Sequence, residues 1–478
     1  MAGFWDLDAA SSSTPAVFDD GQRRWFTYGE LRAAADAVAE QLGPSKRLVF
    51  LFAGNGFAPL AAYLGALRGG HAVFLATADL DAELGTHLIE IYGPDVIWPA
   101  ERVPPGMPLR SHAVPGVGEL GVLEATGDAQ PLHPDLAVLL STSGTTGSPK
   151  LARLSYGSVQ ANAASIAEYL EQGPSERPIT SMPFAYSFGL SVVNSHLLAG
   201  ASLVATNRPI VLADFWKLFR EHGCTSFAGV PFTYELLERV KFGSSELPTL
   251  RHFTQAGGRL APERQARFHE LASRKGWRFY VMYGATEATA RISYVPWQRL
   301  GEKLGSIGIA IPGGRLWIED EGRTVDEPGT VGELVYEGPN VMMGYAESRA
   351  DLAKGDELRG VLRPGDLGYR DADGFFFVTG RKKRFLKIFG LRVNLDEAET
   401  MLEVRLGRPV ACVGRDDLLL AVVESGADGD AQEAAALVQE VYRIHKSAVR
   451  GVRLDALARN SSGKKIYQQI AKEAGLDG

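Results

Sequence analysis

The sequence predicts an α/β protein: a large N-terminal domain of parallel βαβ sheets plus a β-barrel-like subdomain, then a small α+β C-terminal domain. Three observations predict it. Short apolar runs alternate with helical periodicity through the first half of the chain. From Gly301 to Phe377 the pattern changes to hairpins. Beyond a basic stretch, a mixed tail carries one clear helix.

The elements follow in chain order. "YGELRAAADAVAEQL", from Tyr28, has helical periodicity. Leu48 to Leu67, "LVFLFAGNGFAPLAAYLGAL", carries no charge and is long enough for a membrane span. Asn55-Gly56 and Pro59 interrupt it, and its first part is rich in Val, Leu and Phe. It therefore reads as a buried strand, a tight turn and a helix, half of a βαβ unit. "HAVFLA", "DVIWP", "LAVLLST", "ASLVATN" and "SFAGV" read as further buried strands, with "YGSVQANAASIAEYL" and "ADFWKLFREH" as helices among them. "GRLWIEDEGRTVDEPGTVGELVYEGP" alternates across charged and Pro-Gly turns, which is hairpin chemistry. We place a domain boundary inside "GRKKRFLKIFG", giving domains 1–382 and 383–478. "AQEAAALVQEVYRIHKSAV" reads as the helix of the tail.

Bulk properties exclude several classes. A chain of 478 residues is too long for one small core, so two or more domains are expected. Hydrophobic content of 45% and charge of 22% are ordinary for a soluble protein. A net charge of −7 gives no support for a nucleic-acid partner. The N-terminus lacks the basic and apolar regions of a signal peptide, and no membrane partner is expected. Cys224 and Cys412 lie far apart without metal-like spacing, which fits a reduced cytoplasm.

One stretch carries chemistry. "LLSTSGTTGSPK", Leu139 to Lys150, follows a strand-like run with glycines, hydroxyls and a closing lysine. Glycines let backbone N–H groups turn toward an anion and hydroxyls add donors, so the composition suggests a phosphate cradle. It is not a Walker loop, because Pro149 precedes the lysine. Four more stretches set glycines and polar residues at the ends of apolar runs: "TQAGGRL", "VMYGATEATAR", "RPGDLGYRD" and "RNSSGKKIY". Strand ends of parallel sheets are where ligands collect. Each stretch alone is weak, and their order and spacing together are the signal.

In those motifs the chain resembles the adenylate-forming superfamily: acyl-CoA synthetases, nonribosomal peptide adenylation domains and firefly luciferase. The likeness runs from "FTYGELRAAADAVAEQL" to Lys464. It implies activation of a carboxylic acid with Mg·ATP to acyl-AMP and pyrophosphate, then transfer to a thiol of CoA or carrier-protein phosphopantetheine. It also implies that the small C-terminal domain is a mobile lid. Thr142, Ser143, Gly144, Thr145, Thr146, Gly147 and Lys150 would hold the leaving pyrophosphate. Tyr283 would offer its face to adenine, with Gly257 and Gly258 at the other edge of the purine. Thr286 would bond the α-phosphate and Glu287 would ligate Mg²⁺. Without the family, that Thr-Glu pair reads as a helix N-cap. Asp366 would accept both ribose hydroxyls, braced by Arg381. Lys464 would stabilise the charge that develops during adenylation, while Lys465 beside it is expected to be solvated.

The acid pocket falls to "PFAYSFGLSVVNSHL", the "AGVPF" segment with Gly229 and Val230, and Met282. Tyr186 stands where the family places an aromatic gate. Ser187 stands where amino-acid-activating relatives carry an Asp, so α-amino acids are disfavoured: a buried ammonium would lack its partner. The apolar segment favours a hydrophobic acid. Lys383 matches the hinge of the lid and Gly390 the thiol tunnel. The basic run from Arg443 to Lys465 suits CoA phosphates or an acidic acyl carrier protein. Two alternatives stay open: an enzyme that hands acyl-AMP to a separate acyltransferase, and a silent nucleotide-binding homologue.

Overall fold

The computed structural model describes residues 3–123, 131–141, 150–382, 384–389, 391–424, 428–460 and 463–476. They form two compact units. The first comprises the described residues within 3–141, 150–316 and 336–362; the second comprises those within 317–335 and 363–476.

The first unit is α/β. Its largest sheet has the strand order Gly344–Ala346, Leu151–Ser155, Leu136–Ser141, Ala72–Thr77, Leu48–Ala53, Val96–Trp98, Gly118–Leu123, Leu109–Val114. The four strands from Leu136–Ser141 to Val96–Trp98 run parallel. All six residues of Leu48–Ala53 are buried, as a strand covered on both faces requires. The uncharged run therefore folds as expected, with the Asn55-Gly56 turn leading into a helix, Phe57–Arg68. Helix Tyr28–Leu42 starts at a reciprocal cap: Glu30 N donates to Thr27 Oγ1 at 3.1 Å and Thr27 N to Glu30 Oε2 at 2.7 Å. It packs on Phe57–Arg68 through Gly65, where a Cβ would come within 2.5 Å of the Ala35 carbonyl oxygen.

A second sheet carries strands Ser226–Gly229, His252–Gln255, Arg278–Tyr283, Ser293–Val295 and Ile309–Ala310 in that order. The first three are parallel, joined through helices Pro231–Arg239 and Pro262–Lys275. Their Phe227, Phe253 and Phe279 rings stack at 5.4 and 4.8 Å on the helix-covered face. Gly229 pairs with Gln255 and Gln255 with Val281. The chain thus leaves three neighbouring strands along one sheet edge, at "GVPF", "AGG" and "YGATE". A three-stranded sheet of Leu203–Ala205, Pro15–Asp19 and Arg24–Thr27 completes the unit.

An antiparallel sheet, most of whose residues fall in the second unit, runs Arg323–Val325, Arg315–Asp320, Gly332–Glu337, Asp366–Arg370, Phe376–Arg381, the expected hairpins. A hairpin of Phe385–Ile388 and Leu391–Asn394, a sheet of Val410–Arg415, Leu418–Glu424 and Val449–Leu454, and helices Leu395–Leu406, Asp428–Tyr442 and Tyr467–Glu473 follow. The tail helix is shorter than the pattern suggested. It ends at Tyr442 because Arg443 takes φ 54°, and His445 then caps a separate turn, Lys446–Ala448.

Candidate active site

The edge of the second sheet gathers five residues singled out from sequence. Gly257 has φ 82°, and a Cβ there would lie 2.7 Å from the Tyr186 hydroxyl and 3.0 Å from Val230 Cγ1. Both the backbone angle and the crowding require glycine. Gly258 follows against Pro231, 3.1 Å from where its Cβ would be. Tyr186 is half-buried just before helix Ser187–Leu198. Burial pushes its phenol up, and Arg291 acts in the opposite direction. Thr286 Oγ1 donates to Ser187 Oγ at 3.4 Å. So Tyr186, Ser187, Val230, Gly257 and Thr286 meet at one place. Gly229 ends its strand beside them, while Met282 is buried, its sulfur accepting from the Tyr169 hydroxyl at 3.0 Å. The helix read as apolar also buries Ser191, Asn194, Ser195 and His196.

The turn after the half-buried Tyr283 is held under strain. A Cβ on Gly284 would lie 1.9 Å from the Ala290 carbonyl oxygen, so the chain folds back tightly on itself. Thr289 and Ala290 take φ 54° and 111°, which non-glycine residues rarely adopt. Asn340 fixes this turn: its Nδ2 donates to the carbonyls of Ala288 and Arg291 at 2.7 Å each, and its Oδ1 accepts from the Tyr336 hydroxyl at 2.7 Å. Thr286 opens a single short turn whose cap is Ala285, so the Thr-Glu pair is not a helix N-cap. The Tyr345 hydroxyl donates to Glu287 Oε1 at 2.7 Å. Lys150 Nζ sits 4.0 Å over the Tyr345 ring and 3.5 Å from Glu347. Asn340 and Tyr345 went unrecognised in the sequence, because "GPNVMMGYAE" reads only as the end of a hairpin.

Among the described residues no group of three or more His, Cys, Asp or Glu could hold a metal. Mg²⁺ does not require one, since it keeps waters and commonly takes one or two carboxylates plus substrate phosphates. Glu287, half-buried with one oxygen engaged by Tyr345, fits that need.

In the second unit, Asp366 and Arg381 are paired residues of adjacent strands, with Arg381 Nε donating to Asp366 Oδ1 at 3.2 Å. Lys464 stands half-buried on a tight loop: its N–H donates to Asn460 Oδ1 at 2.9 Å, and Asn460 N donates to the Lys464 carbonyl at 2.9 Å. Ile466 N to Ala458 O, 2.8 Å, closes the loop.

Lys465 is a correction. It is half-buried and ion-paired rather than solvated, its side chain 12% exposed and donating to Glu399 at 2.6 Å, to Glu403 at 2.7 Å and to the Val410 carbonyl. Glu399 also accepts from the Tyr467 hydroxyl, Arg384 and the Cys412 amide. Burial pushes the Glu399 carboxyl up, but Lys465 and Arg384 outweigh it and hold the group below its ordinary value. Burial lowers Lys465, and Glu399 and Glu403 more than reverse this. Of the basic run, Arg459 pairs with Glu424 at 3.0 Å, whereas Arg443, Lys446 and Arg450 are exposed. Thr142, Ser143, Gly144, Thr145, Thr146, Gly147, Lys383 and Gly390 lie outside the described residues.

A profile described as AMP-binding enzyme matches residues 6–346. The chain belongs to the AMP-binding enzyme family. This AMP-binding enzyme is 33% identical over 379 residues to indoleacetate–CoA ligase of Aromatoleum aromaticum, covering 74% of this chain and 72% of that one. It is 29% identical to D-alanine–D-alanyl carrier protein ligase of Lactiplantibacillus plantarum, over 83% and 81% of the two chains. The fold matches o-succinylbenzoate CoA synthetase of Bacillus subtilis in complex with its acyl-adenylate intermediate. That match has a TM-score of 0.78 at 22% identity and covers 98% of each chain.

Proposed function

We propose that this AMP-binding enzyme condenses a non-amino carboxylic acid with Mg·ATP to acyl-AMP and pyrophosphate, then passes the acyl group to the thiol of CoA or of carrier-protein phosphopantetheine. The observation that carries the reading is the convergence of Tyr186, Ser187, Gly257 and Thr286 at the sheet edge. On that edge Gly257 and Gly258 give backbone access to a purine, and Tyr283 supplies a flat face. The Thr286 hydroxyl would bond the α-phosphate. Glu287 would hold Mg²⁺, which when bound neutralises phosphate charge.

Asp366, steadied by Arg381, would take the ribose hydroxyls. Lys464 would stabilise the shared oxygens as the acid's carboxylate attacks phosphorus. The residues at 142–147, with Lys150, would retain the pyrophosphate. A lid hinged at Lys383, within a domain 383–478, would then rotate to admit the thiol past Gly390. The exposed Arg443, Lys446 and Arg450 suit an anionic thiol carrier.

Ser187 supports excluding α-amino acids, since its hydroxyl cannot pair an ammonium as a carboxylate does. Among the described residues no helix is long and apolar enough to cross a membrane. Cys224 and Cys412 are buried free thiols, which suits a reducing cytoplasm. The test is acid-dependent ATP–pyrophosphate exchange across a panel of acids, followed by addition of CoA or carrier protein. Robust exchange with a proteinogenic α-amino acid and none with other acids would overturn it.

A further inference from the structure

Arg291 is 1% exposed, yet no carboxylate among the described residues pairs with it. Its Nη1 donates to the neighbouring Ala290 carbonyl at 3.3 Å, the guanidinium also bonds to the neutral Tyr169 hydroxyl, and its Nε has no hydrogen-bond partner. The guanidinium lies 4.2 Å over the ring of Phe188, in the helix that begins at Ser187. Tyr169 and Tyr186 are the ionisable groups that face it. Folded proteins bury a cation at large cost unless it is paired or bound to something. A guanidinium stays charged and is shaped to grip carboxylate or sulfonate oxygens in a fork.

Its position says what that partner is. Arg291 follows the Thr286–Ala290 turn and lines a cavity of about 20 Å³ behind the sheet edge, with Val192, Ser195, His196, Ala228 and Thr254. Ala228 directly precedes Gly229, and Val192 and Ser195 lie on the helix that carries Ser187. The cavity is therefore the inner end of the space assigned to the acid.

The other titratable groups on its wall are uncharged at neutral pH. Burial pushes His196 and His252 down to about 4. His196 Nδ1 donates to the Val192 carbonyl at 2.7 Å. Nearby Glu176 is already held by Arg251 at 3.0 Å and by Thr225. Among the described residues, Arg291 is then the one full charge lining this cavity. Its volume accommodates little more than a water molecule, so an extended alkyl tail has no room beyond it.

We propose that Arg291 recognises a second anionic group, a carboxylate or sulfonate, at the end of a short acyl tail. The acid is then dianionic, with one carboxylate activated at the sheet edge and the other anion held inside. The proposal rests on the acid-activating reading and narrows it.

The experiment compares matched acids in pyrophosphate exchange: straight-chain dicarboxylates and ω-sulfonates of four to eight carbons against monocarboxylates of equal length. Wild type, Arg291→Met and Arg291→Lys are tested. Wild type is expected to favour a dianionic acid by about 10²-fold in kcat/KM, the scale of truncating one partner of a buried charge pair. Arg291→Met is expected to abolish that preference while exchanging the monoacid at least as well as wild type. Arg291→Lys is expected to keep part of it.

Ligand-free melting gives a second readout. Replacing an unpaired buried charge by an apolar side chain should raise the melting temperature, whereas an arginine serving only structure would lower it on removal. An equal or greater wild-type rate with monoacids, or an unchanged preference in Arg291→Met, overturns the proposal and leaves the acid-activating reading standing. No exchange with any acid counts against that reading instead. In that case a lowered melting temperature of Arg291→Met overturns the recognition role as well.

Discussion

Asp366 and Arg381 face each other across an antiparallel ladder, joined by a 3.2 Å bond from Arg381 Nε to Asp366 Oδ1. The aspartate is 6% exposed, while the arginine side chain stays 65% exposed. A nearly buried carboxylate whose orientation is set from the next strand is a preorganised acceptor, and the exposed guanidinium can serve ligand and carboxylate together. Asp366→Asn should raise KM for ATP roughly 10- to 100-fold, since a hydrogen bond to a charged group contributes about 1.5–3 kcal/mol. Arg381→Ala should do so less, because it removes the brace and leaves the acceptor. Exchange kinetics at varied ATP decide this. An unchanged KM in Asp366→Asn would confine the pair to joining two strands.

Lys464→Ala should remove most adenylation and leave ATP binding nearly intact. Losing one charge-stabilising donor at a transition state costs about 10²–10³ in rate. Single-turnover acyl-AMP formation, set beside ATP binding measured by calorimetry, separates the two effects. Wild-type speed in the variant would exclude the lysine from the chemistry.

Local pattern fixed what local physics controls. The strand, turn and helix of Leu48–Arg68 were legible because Asn55-Gly56 and Pro59 punctuate an otherwise continuous apolar run. The site's glycines were legible for a similar reason, as Gly257 answers a backbone angle and a close approach. Lys464 and Lys465 show where such reading stops. They are adjacent and identical, and what distinguishes them is Glu399 and Glu403, 66 and 62 residues from Lys465 in sequence. Asn340, Tyr345 and Arg291 were missed on the same ground. Each gains its meaning from a contact distant in the chain or from a partner it lacks, and neither leaves a periodicity. The apolar reading of the helix after Ser187 overlooked Asn194, Ser195 and His196, whose burial only the fold reveals.

The Lys465 cluster makes a stability prediction with a definite sign. Lys465 is raised in the folded state, so its contribution is full below the ordinary lysine value and fades as pH climbs through the higher folded one. Glu399 is lowered, so its contribution is present above the ordinary carboxylate value and fades as pH falls through the lower folded one. Arg384, Asp396, Glu403, Tyr467 and Cys412 face the same cluster, and burial raises Asp396, which opposes part of the acid limb. The pair should therefore stabilise fully between about pH 4.3 and 10.4. Lys465→Met should cost about 3 kcal/mol within that window, the low end for breaking a buried pair, because Arg384 and Tyr467 still hold Glu399. Melting curves across pH check it. A variant as stable as wild type at pH 7 would mean that dehydrating the lysine cancels the attraction.

The last prediction concerns Tyr345, which links two residues assigned to the phosphates. Its hydroxyl holds Glu287 Oε1 at 2.7 Å and its ring lies under Lys150 Nζ at 4.0 Å. Burial, reinforced by the Glu287 charge, pushes the phenol up, so it remains a donor at any working pH. That bond engages one carboxylate oxygen and restricts the orientation of the group. Tyr345→Phe keeps the ring, and with it the contact to Lys150, and deletes only the tether. If Glu287 ligates Mg²⁺, freeing its side chain should raise the Mg²⁺ concentration for half-maximal exchange about 10-fold, an outer-sphere effect at the lower end of its usual range. The rate at saturating Mg²⁺ should stay near that of wild type. Glu287→Gln should lose rate even at saturating Mg²⁺, because the ligand itself is weakened. Titrating Mg²⁺ against fixed ATP in all three proteins separates the roles. A Tyr345→Phe enzyme with an unaltered Mg²⁺ dependence would reduce the tether to packing, and a Glu287→Gln enzyme with wild-type behaviour would move the metal elsewhere.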